Sequence, residues 1–500
     1  MTEIVSSAAS REPSPWASPR WQVAVAIGVG LSTVAALLGL WKLFAVGAAV
    51  SLVLILALVV ASSIARGDAD SIVIGWVFLY PLGYYLLSYP RDRPIIQFDR
   101  ILILVLLACI MAAARKRAWN IPADLMRPAI AWLLFIAVTC ISFLQGANPL
   151  TIGREIVDGL LLPTILGWYV VRQFRLSGHI KWLHVAICIM TLYSAVIGIA
   201  EVATHQDLLA FQSGDEYYTY DPNDPMGFIF LRANGPFLAN QSYAIVGLIS
   251  LFLLLFLWPM IREGASRSYR LLHGIACVAA VVEALLPMFR SILITLIVVV
   301  IIDAFYQTGI RRKIRLGMVA LVPILIAALA IAAPGLLAER SSSSNLVSRL
   351  AQDQQTWRMF VDHPVFGVGL FNFMRVAQSN ARYQVNGFGN EPPLDVPHNN
   401  LGWVAVETGI VGMIPFVASQ VLLVVAFRRL SRRGDRGRTA WRFFLYIFLA
   451  YWLTGFTETA AEYGELNMWF IFAVALLYRY GIGESRTEVA ALVPAPGDAC

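Results

Sequence analysis

Three side chains in this 500-residue chain have the type and setting for chemistry at a wet boundary: Arg232, Arg290 and His398. His398 lies in Pro397-His398-Asn399-Asn400, directly ahead of a long apolar run. An imidazole takes or gives a proton near neutral pH without a large shift, which suits general acid–base work. Arg232 precedes the turn signal Asn234-Gly235-Pro236 and another apolar run. Arg290 separates two apolar runs that have almost no linker. An arginine facing lipid costs roughly 2.5–3.5 kcal/mol at a helix centre, so one at a helix end belongs beside a wet cavity. The structural alternatives are an arginine snorkelling to headgroups and a histidine that only begins a helix. The surrounding residues favour a site in all three cases. Arg349, Arg358, Glu391, Asp395 and the acidic turn from Glu458 to Glu465 are weaker candidates. His179, His184, His205 and His273 read as interfacial or structural.

The elements that position these residues follow from composition. The chain is 58% hydrophobic and only 14% charged, where a soluble domain carries roughly 25% charged residues. Such a deficit over many apolar runs defines an all-α integral membrane protein. The runs predict about twelve to fourteen transmembrane helices, each needing roughly 20 residues. They fall near Val23–Leu40, Leu43–Ile64, Ile72–Leu87, Ile101–Ala114, Ile130–Phe143, Ile156–Val171 and Trp182–Ala200. Further runs are Phe237–Trp258, Leu271–Leu286, Ile292–Phe305, Leu316–Ala333, Leu401–Phe427, Trp441–Phe456 and Met468–Leu477. The expected organisation is a disordered cytoplasmic tail over 1–21, transmembrane helices over 22–335, and one long extracytoplasmic loop, partly helical, over 336–400. C-terminal transmembrane helices over 401–480 and a cytoplasmic tail over 481–500 complete it.

Lys and Arg total 38 against 31 acids, a net charge of +7. The basic residues fall in alternate loops: Arg115-Lys116-Arg117, Arg172 to Lys181, Arg262 to Arg270, Arg311 to Arg315, and Arg428 to Arg438. By the positive-inside rule those loops are cytoplasmic, which puts both termini inside and the long loop outside. Cys109, Cys140, Cys188 and Cys277 lie in apolar runs and read as packing residues; no metal spacing or disulfide framework is visible. No phosphate-binding Gly loop or dinucleotide fingerprint is present. No inverted pair of interrupted helices is seen, which counts against the common secondary transporters. If a helix begins near His398, Gly402, Ala405, Gly409 and Gly412 form a small-residue stripe that lets another helix approach closely. Glu407, nine residues from His398, then lies about half a turn round from it.

The ordered set His363-Pro364, Gly367, Gly369, Phe373, His398-Asn399, Glu407, Gly409 and Gly412 resembles the bacterial O-antigen ligase and O-antigen polymerase superfamily. Arg232 with Gly235, Phe237 and Asn240 fits the same pattern, although Ala239 stands where the family has proline. Phe289-Arg290 keeps the family's arginine and loses the serine before it. The resemblance implies a glycosyltransferase of the bacterial inner membrane with no cofactor, metal-independent and dependent on a polyprenyl pyrophosphate. It implies transfer of a glycan from an undecaprenyl-pyrophosphate donor to a hydroxyl of a glycan or of lipid A core, at the outer face. In it His398 is catalytic, and Arg232 and Arg290 hold the departing pyrophosphate, since guanidinium groups bind phosphate oxygens in pairs. Arg349, Arg358, Asn399 and Glu407 are further substrate-binding candidates. Partners are the bilayer, the two glycan substrates and other polysaccharide export proteins, with no nucleic acid. Ligase and polymerase remain open, with a slight preference for polymerase because the long loop is sizeable and polar. Two rivals stand beside them: a peptidoglycan-type glycan polymerase, and a transporter or flippase of lipid-linked saccharides.

Overall fold

The computed structural model describes residues 69–86, 88–89, 96–114, 122–142, 149–204, 233–287, 289–306, 343–383, 397–457 and 459–483, with positions 61, 208, 209 and 309 besides. Among them the chain is almost wholly helical. The helices are α1 (Asp70–Leu86), α2 (Phe98–Ala114), α3 (Ala123–Ser142), α4 (Pro149–Ile156), α5 (Leu162–Arg172), α6 (Leu176–Thr204) and α7 (Asn240–Ile261). They continue with α8 (Arg267–Leu285), α9 (Arg290–Tyr306), α10 (Ser343–Asp362), α11 (Phe373–Ser379), α12 (Asn400–Leu430), α13 (Asp435–Gly455) and α14 (Gly464–Ile482). Two-residue strands β1 (Ser88–Tyr89) and β2 (Ile96–Gln97) pair antiparallel between α1 and α2. Eleven of the fourteen apolar runs coincide with these helices. The runs at 23–40, 43–64 and 316–333 and the tail at 1–21 lie outside the described residues.

Among the described residues five helices are long and apolar enough to cross a membrane. These are α3, α6, α7, α8 and α12, the last counted with the turn after it. Some of their hydroxyls bond within the helix: Thr191 donates to the Ile187 carbonyl and Thr408 to that of Val404. Others join helices, as Tyr243 donates to the Ser194 carbonyl and Tyr193 to that of Phe78; in a bilayer such groups need partners inside the protein. Ser266 caps α8 by accepting from the Tyr269 amide, and Gly483, at φ 73°, ends α14.

One apolar core runs through the bundle. At one level of it Tyr80 stacks on Trp469, and Trp76 meets both Trp469 and Phe472. α12 lies along α3, α14 along α5, and α8 along α7. Contacts between helix ends sort them into two sets. At the basic end Arg433 pairs with Asp124, and Asp70 accepts from Tyr169 and Arg175. At the other end Leu238 and Tyr80 contact Glu465, and Ala461 contacts Asn400. This second end carries α10 and α11, and with them the candidate site.

α12 is not one straight helix. Gly409 has φ 62° and ψ −166°, a break inside an otherwise helical run. This corrects the small-residue stripe at Gly409, where the closest approach is made by the backbone of Val365 and Gly367. A loop enters there, and the groups nearest a Cβ at Gly402 or Gly412 are the side chains of Asn399 and Thr408.

Candidate active site

The break in α12 frees backbone groups that an intact helix would pair internally. The segment from Pro364 to Gly369 takes them up. Val368 N–H donates to the Val406 carbonyl at 2.8 Å, and Gly369 N–H to that of Glu407 at 3.0 Å. In the other direction Ile410 N–H donates to the Pro364 carbonyl at 2.9 Å, and Val411 N–H to that of Val365 at 3.2 Å. The glycines follow from this geometry. A Cβ on Gly367 would lie 2.4 Å from the Val406 oxygen, and one on Gly409 would lie 2.2 Å from the Val365 oxygen. Both glycines also have positive φ, where a side chain is disfavoured. The spacing His-Pro-x-x-Gly-x-Gly and Glu-x-Gly thus encodes one insertion of loop into helix.

A small second core joins the same parts. Met359 of α10, Val368, Phe373 and Ala377 of α11, and Tyr383 pack with Val406 of α12. Tyr383 donates to Asp362 at 2.8 Å, and Arg382 pairs with Asp362 at 2.9 Å. Burial, and then the bond to Asp362, raises the pKa of the Tyr383 hydroxyl. Arg358 donates to the Arg382 carbonyl at 3.4 Å. Arg349 lies in α10, and its side chain falls outside what is described.

His398 is held from both sides and is partly exposed. Before it, the Pro397 carbonyl accepts from Thr459. After it, the Asn399 side chain caps α12 at Gly402 and donates to Asp353 at 3.2 Å. Asn400 is fully buried, and its oxygen accepts from the Ala461 amide at 2.8 Å. The two amides therefore act first as anchors of the histidine. Glu407 is fully buried below it.

Below His398 a cavity of about 1220 Å³, its open mouth included, runs between α3, α5, α12, α13 and α14. Its wall on the unbroken α14 extends from Asn467 to Tyr478, a rise of roughly 17 Å at 1.5 Å per residue. That is a little over half of the roughly 30 Å hydrocarbon layer of a bilayer. The lining is mostly apolar, with Trp403, Ala461 and Asn467 at the His398 end. Phe371, at φ 57°, turns its ring edge towards Trp403 at 6.3 Å.

Arg290 is exposed at the first position of α9. Arg232 lies outside the described residues, as do Glu391, Asp395 and Glu458. The turn following Arg232 is built: Glu201 accepts from the amides of Asn234 at 3.1 Å and Gly235 at 2.8 Å. Phe237 N–H closes that turn on the Asn234 carbonyl.

The sequence reading missed a charged group at the same end. Arg100 grips Asp158 with two nitrogens, at 2.8 and 2.6 Å, and Arg154 pairs with Glu155 at 3.0 Å. Asp158 sits in a π-helical turn, Val157–Leu161, where the Gly159 carbonyl accepts from Asn467. The available signal was a carboxylate inside an apolar run, which is costly unless paired. His184 and His273, read as structural, are buried and lie 3.1 Å apart.

Fold and site together define an all-α integral membrane protein with its candidate site at one end of the bundle. Residues 275–417 match the family described as O-Antigen ligase. Over these residues the chain is similar to the O-antigen ligase/polymerase superfamily, as the motifs had suggested. The match spans Arg290, Arg349, Arg358, His398 and Glu407, and leaves Arg232 outside. No curated protein matches the chain.

Proposed function

We propose that this chain transfers a glycan from an undecaprenyl-pyrophosphate donor to a glycan hydroxyl at the extracytoplasmic face of the bacterial inner membrane, without a metal. The observation that carries the reading is His398 fixed at the polar end of an apolar cavity inside the helix bundle. A polyprenyl chain fits such a cavity by its chemistry, with its pyrophosphate at the polar end. His398 accepts the proton of the acceptor hydroxyl as that oxygen bonds to the sugar's anomeric carbon. The bond from that carbon to the pyrophosphate oxygen breaks, and the leaving group gathers negative charge. Arg290, with Arg232, is assigned to that charge. Asn399 serves the site by holding His398, and Arg358 by bracing the α10–α11 loop.

The orientation with both termini cytoplasmic rests on the basic loops. A slight preference for polymerase over ligase rests on the size of the long loop. An apolar cavity inside the bundle is also what a flippase of lipid-linked saccharides needs, so that reading stands second. Purified protein in liposomes separates the two. With lipid-linked glycan and an acceptor, a transferase forms a new glycosidic bond and releases undecaprenyl pyrophosphate. Movement of donor across the bilayer with no new bond would refute the transferase. Activity that excess EDTA abolishes and magnesium restores would refute metal independence.

A further inference from the structure

α10 carries its apolar residues on the wrong side for a soluble loop. At 100° per residue, Gln354, Trp357 and Val361 fall within about 40° of Leu350. Leu350, Trp357 and Val361 are 59%, 63% and 51% exposed. The opposite face, with Gln355, Thr356 and Met359, is buried against the rest of the loop and α12. Asp353 and Arg358 flank the apolar stripe, where a charged head reaches water from beside it.

The stripe continues onto other elements. Val365 and Phe366, next in the chain, are 50% and 47% exposed. The Val365 carbonyl is bonded to Val411 of α12. From that point Ile410, Ile414, Val421 and Val425 form an exposed row down α12. α12 is one of the helices long and apolar enough to cross a membrane, and this row is its face towards the acyl chains. The break at Gly409 therefore hands one apolar surface from a spanning helix to the loop.

We propose that the exposed face of α10, with Val365 and Phe366, is a membrane-surface contact that rests in the headgroup and upper acyl layer. Helices that lie in this layer carry an apolar face flanked by charges, and tryptophan favours that depth. Continuity with the lipid-facing row of α12 selects a lipid surface over a second copy of the chain. The contact makes the loop part of the bilayer surface, with His398 anchored to it through Asn399 and Asp353.

The test uses a spin label at Val361→Cys in full-length protein with the five natural cysteines replaced, reconstituted in vesicles of phosphatidylethanolamine and phosphatidylglycerol. Labels at Ile414→Cys and Arg382→Cys give the acyl-chain and aqueous references. The label at 361 is expected to collide several-fold more with oxygen than with a water-soluble nickel chelate, as at 414. Accessibility matching that at 382 would overturn the proposal. So would dipolar broadening at 361, which would assign the face to a second copy. A benzophenone amino acid at position 357 in the otherwise natural chain is the second readout: a phospholipid adduct supports the contact, and a crosslinked dimer opposes it. Neither readout depends on the transfer reaction.

Discussion

Replacing Gly409 with alanine tests the loop insertion most directly. The residue sits at φ 62° and ψ −166°, a region open essentially only to glycine, where other residues lose of order 1–3 kcal/mol. Its new Cβ would also meet the Val365 oxygen at 2.2 Å and the Gly367 nitrogen at 2.7 Å. The cheaper outcome is a straightened α12. Ile410 and Val411 would then donate to Val406 and Glu407 as in an ordinary helix, and the loop would be expelled. Four loop–helix bonds are exchanged for two helical ones. At about 0.5–1.5 kcal/mol per net hydrogen bond, the docked loop loses about 1–3 kcal/mol, or roughly 5- to 150-fold in the docking equilibrium. The spanning helix itself survives, so membrane abundance should hold. Hydrogen exchange read by mass spectrometry should show residues 364–369 losing protection by that factor, while α7 keeps its own. Gly367→Ala attacks the same joint from the loop side and should match it. Gly274→Ala, where the added carbon meets nothing within 4 Å, is the control. If exchange over 364–369 is unchanged in Gly409→Ala, the insertion does not hold the loop and the account of the glycine motif is wrong.

Other expectations concern the charges. Arg290→Ala and Arg232→Ala should each lower transfer per membrane-inserted molecule by about 10²–10³, with lysine a poor substitute. The double variant should fall well short of the product of the single losses; near-normal specific activity would make both arginines interfacial anchors. Asp158→Asn strands Arg100, whose pair is 18% and 20% exposed, and should cost about 2–4 kcal/mol of thermal stability, below the range for a fully buried pair. Replacing both by leucine should recover part of that loss, and no recovery would deny the pairing. Tyr383 has a folded pKa above its unfolded one, so its contribution is fully present below about pH 10 and lost as pH rises through the folded value. Proteolysis of the loop should accelerate above that pH in the natural chain and not in Tyr383→Phe. A membrane-impermeant thiol reagent should label Arg382→Cys but not Arg432→Cys from outside intact spheroplasts, and the reverse pattern would invert the topology.

Most of the helical layout was legible because an apolar run of bilayer length has few alternatives. The ordered Gly, His and Glu motif was legible as a pattern, but its physics was not. Gly409 sits where a helical period continues on both sides, and a glycine that packs a helix looks the same in sequence as one that breaks it. Positive φ has no signature of its own. The half-turn placement of Glu407 assumed a regular helix, and the break beyond it gives the Glu407 carbonyl a partner in Gly369 instead. Arg100 and Asp158 lie 58 positions apart. In the sequence Arg100 stands ahead of one apolar run and Asp158 inside another, and only packing of α2 against α5 and the π turn between α4 and α5 unites them. Residues between His398 and the arginines were harder still, because the sequence says which end of the bundle each occupies and nothing about distance.

The ties that flank the candidate site have a consequence for how damage to it would spread. Tyr383 and Arg382 are tied to Asp362, and Pro397 is tied to Thr459. Asp362 closes α10 and Thr459 precedes α14, so the two ties draw on different parts of the frame. A substitution that removes the Asp362 carboxylate loosens the far end of the α10–α11 segment, while Pro397 keeps its own hold on the bundle.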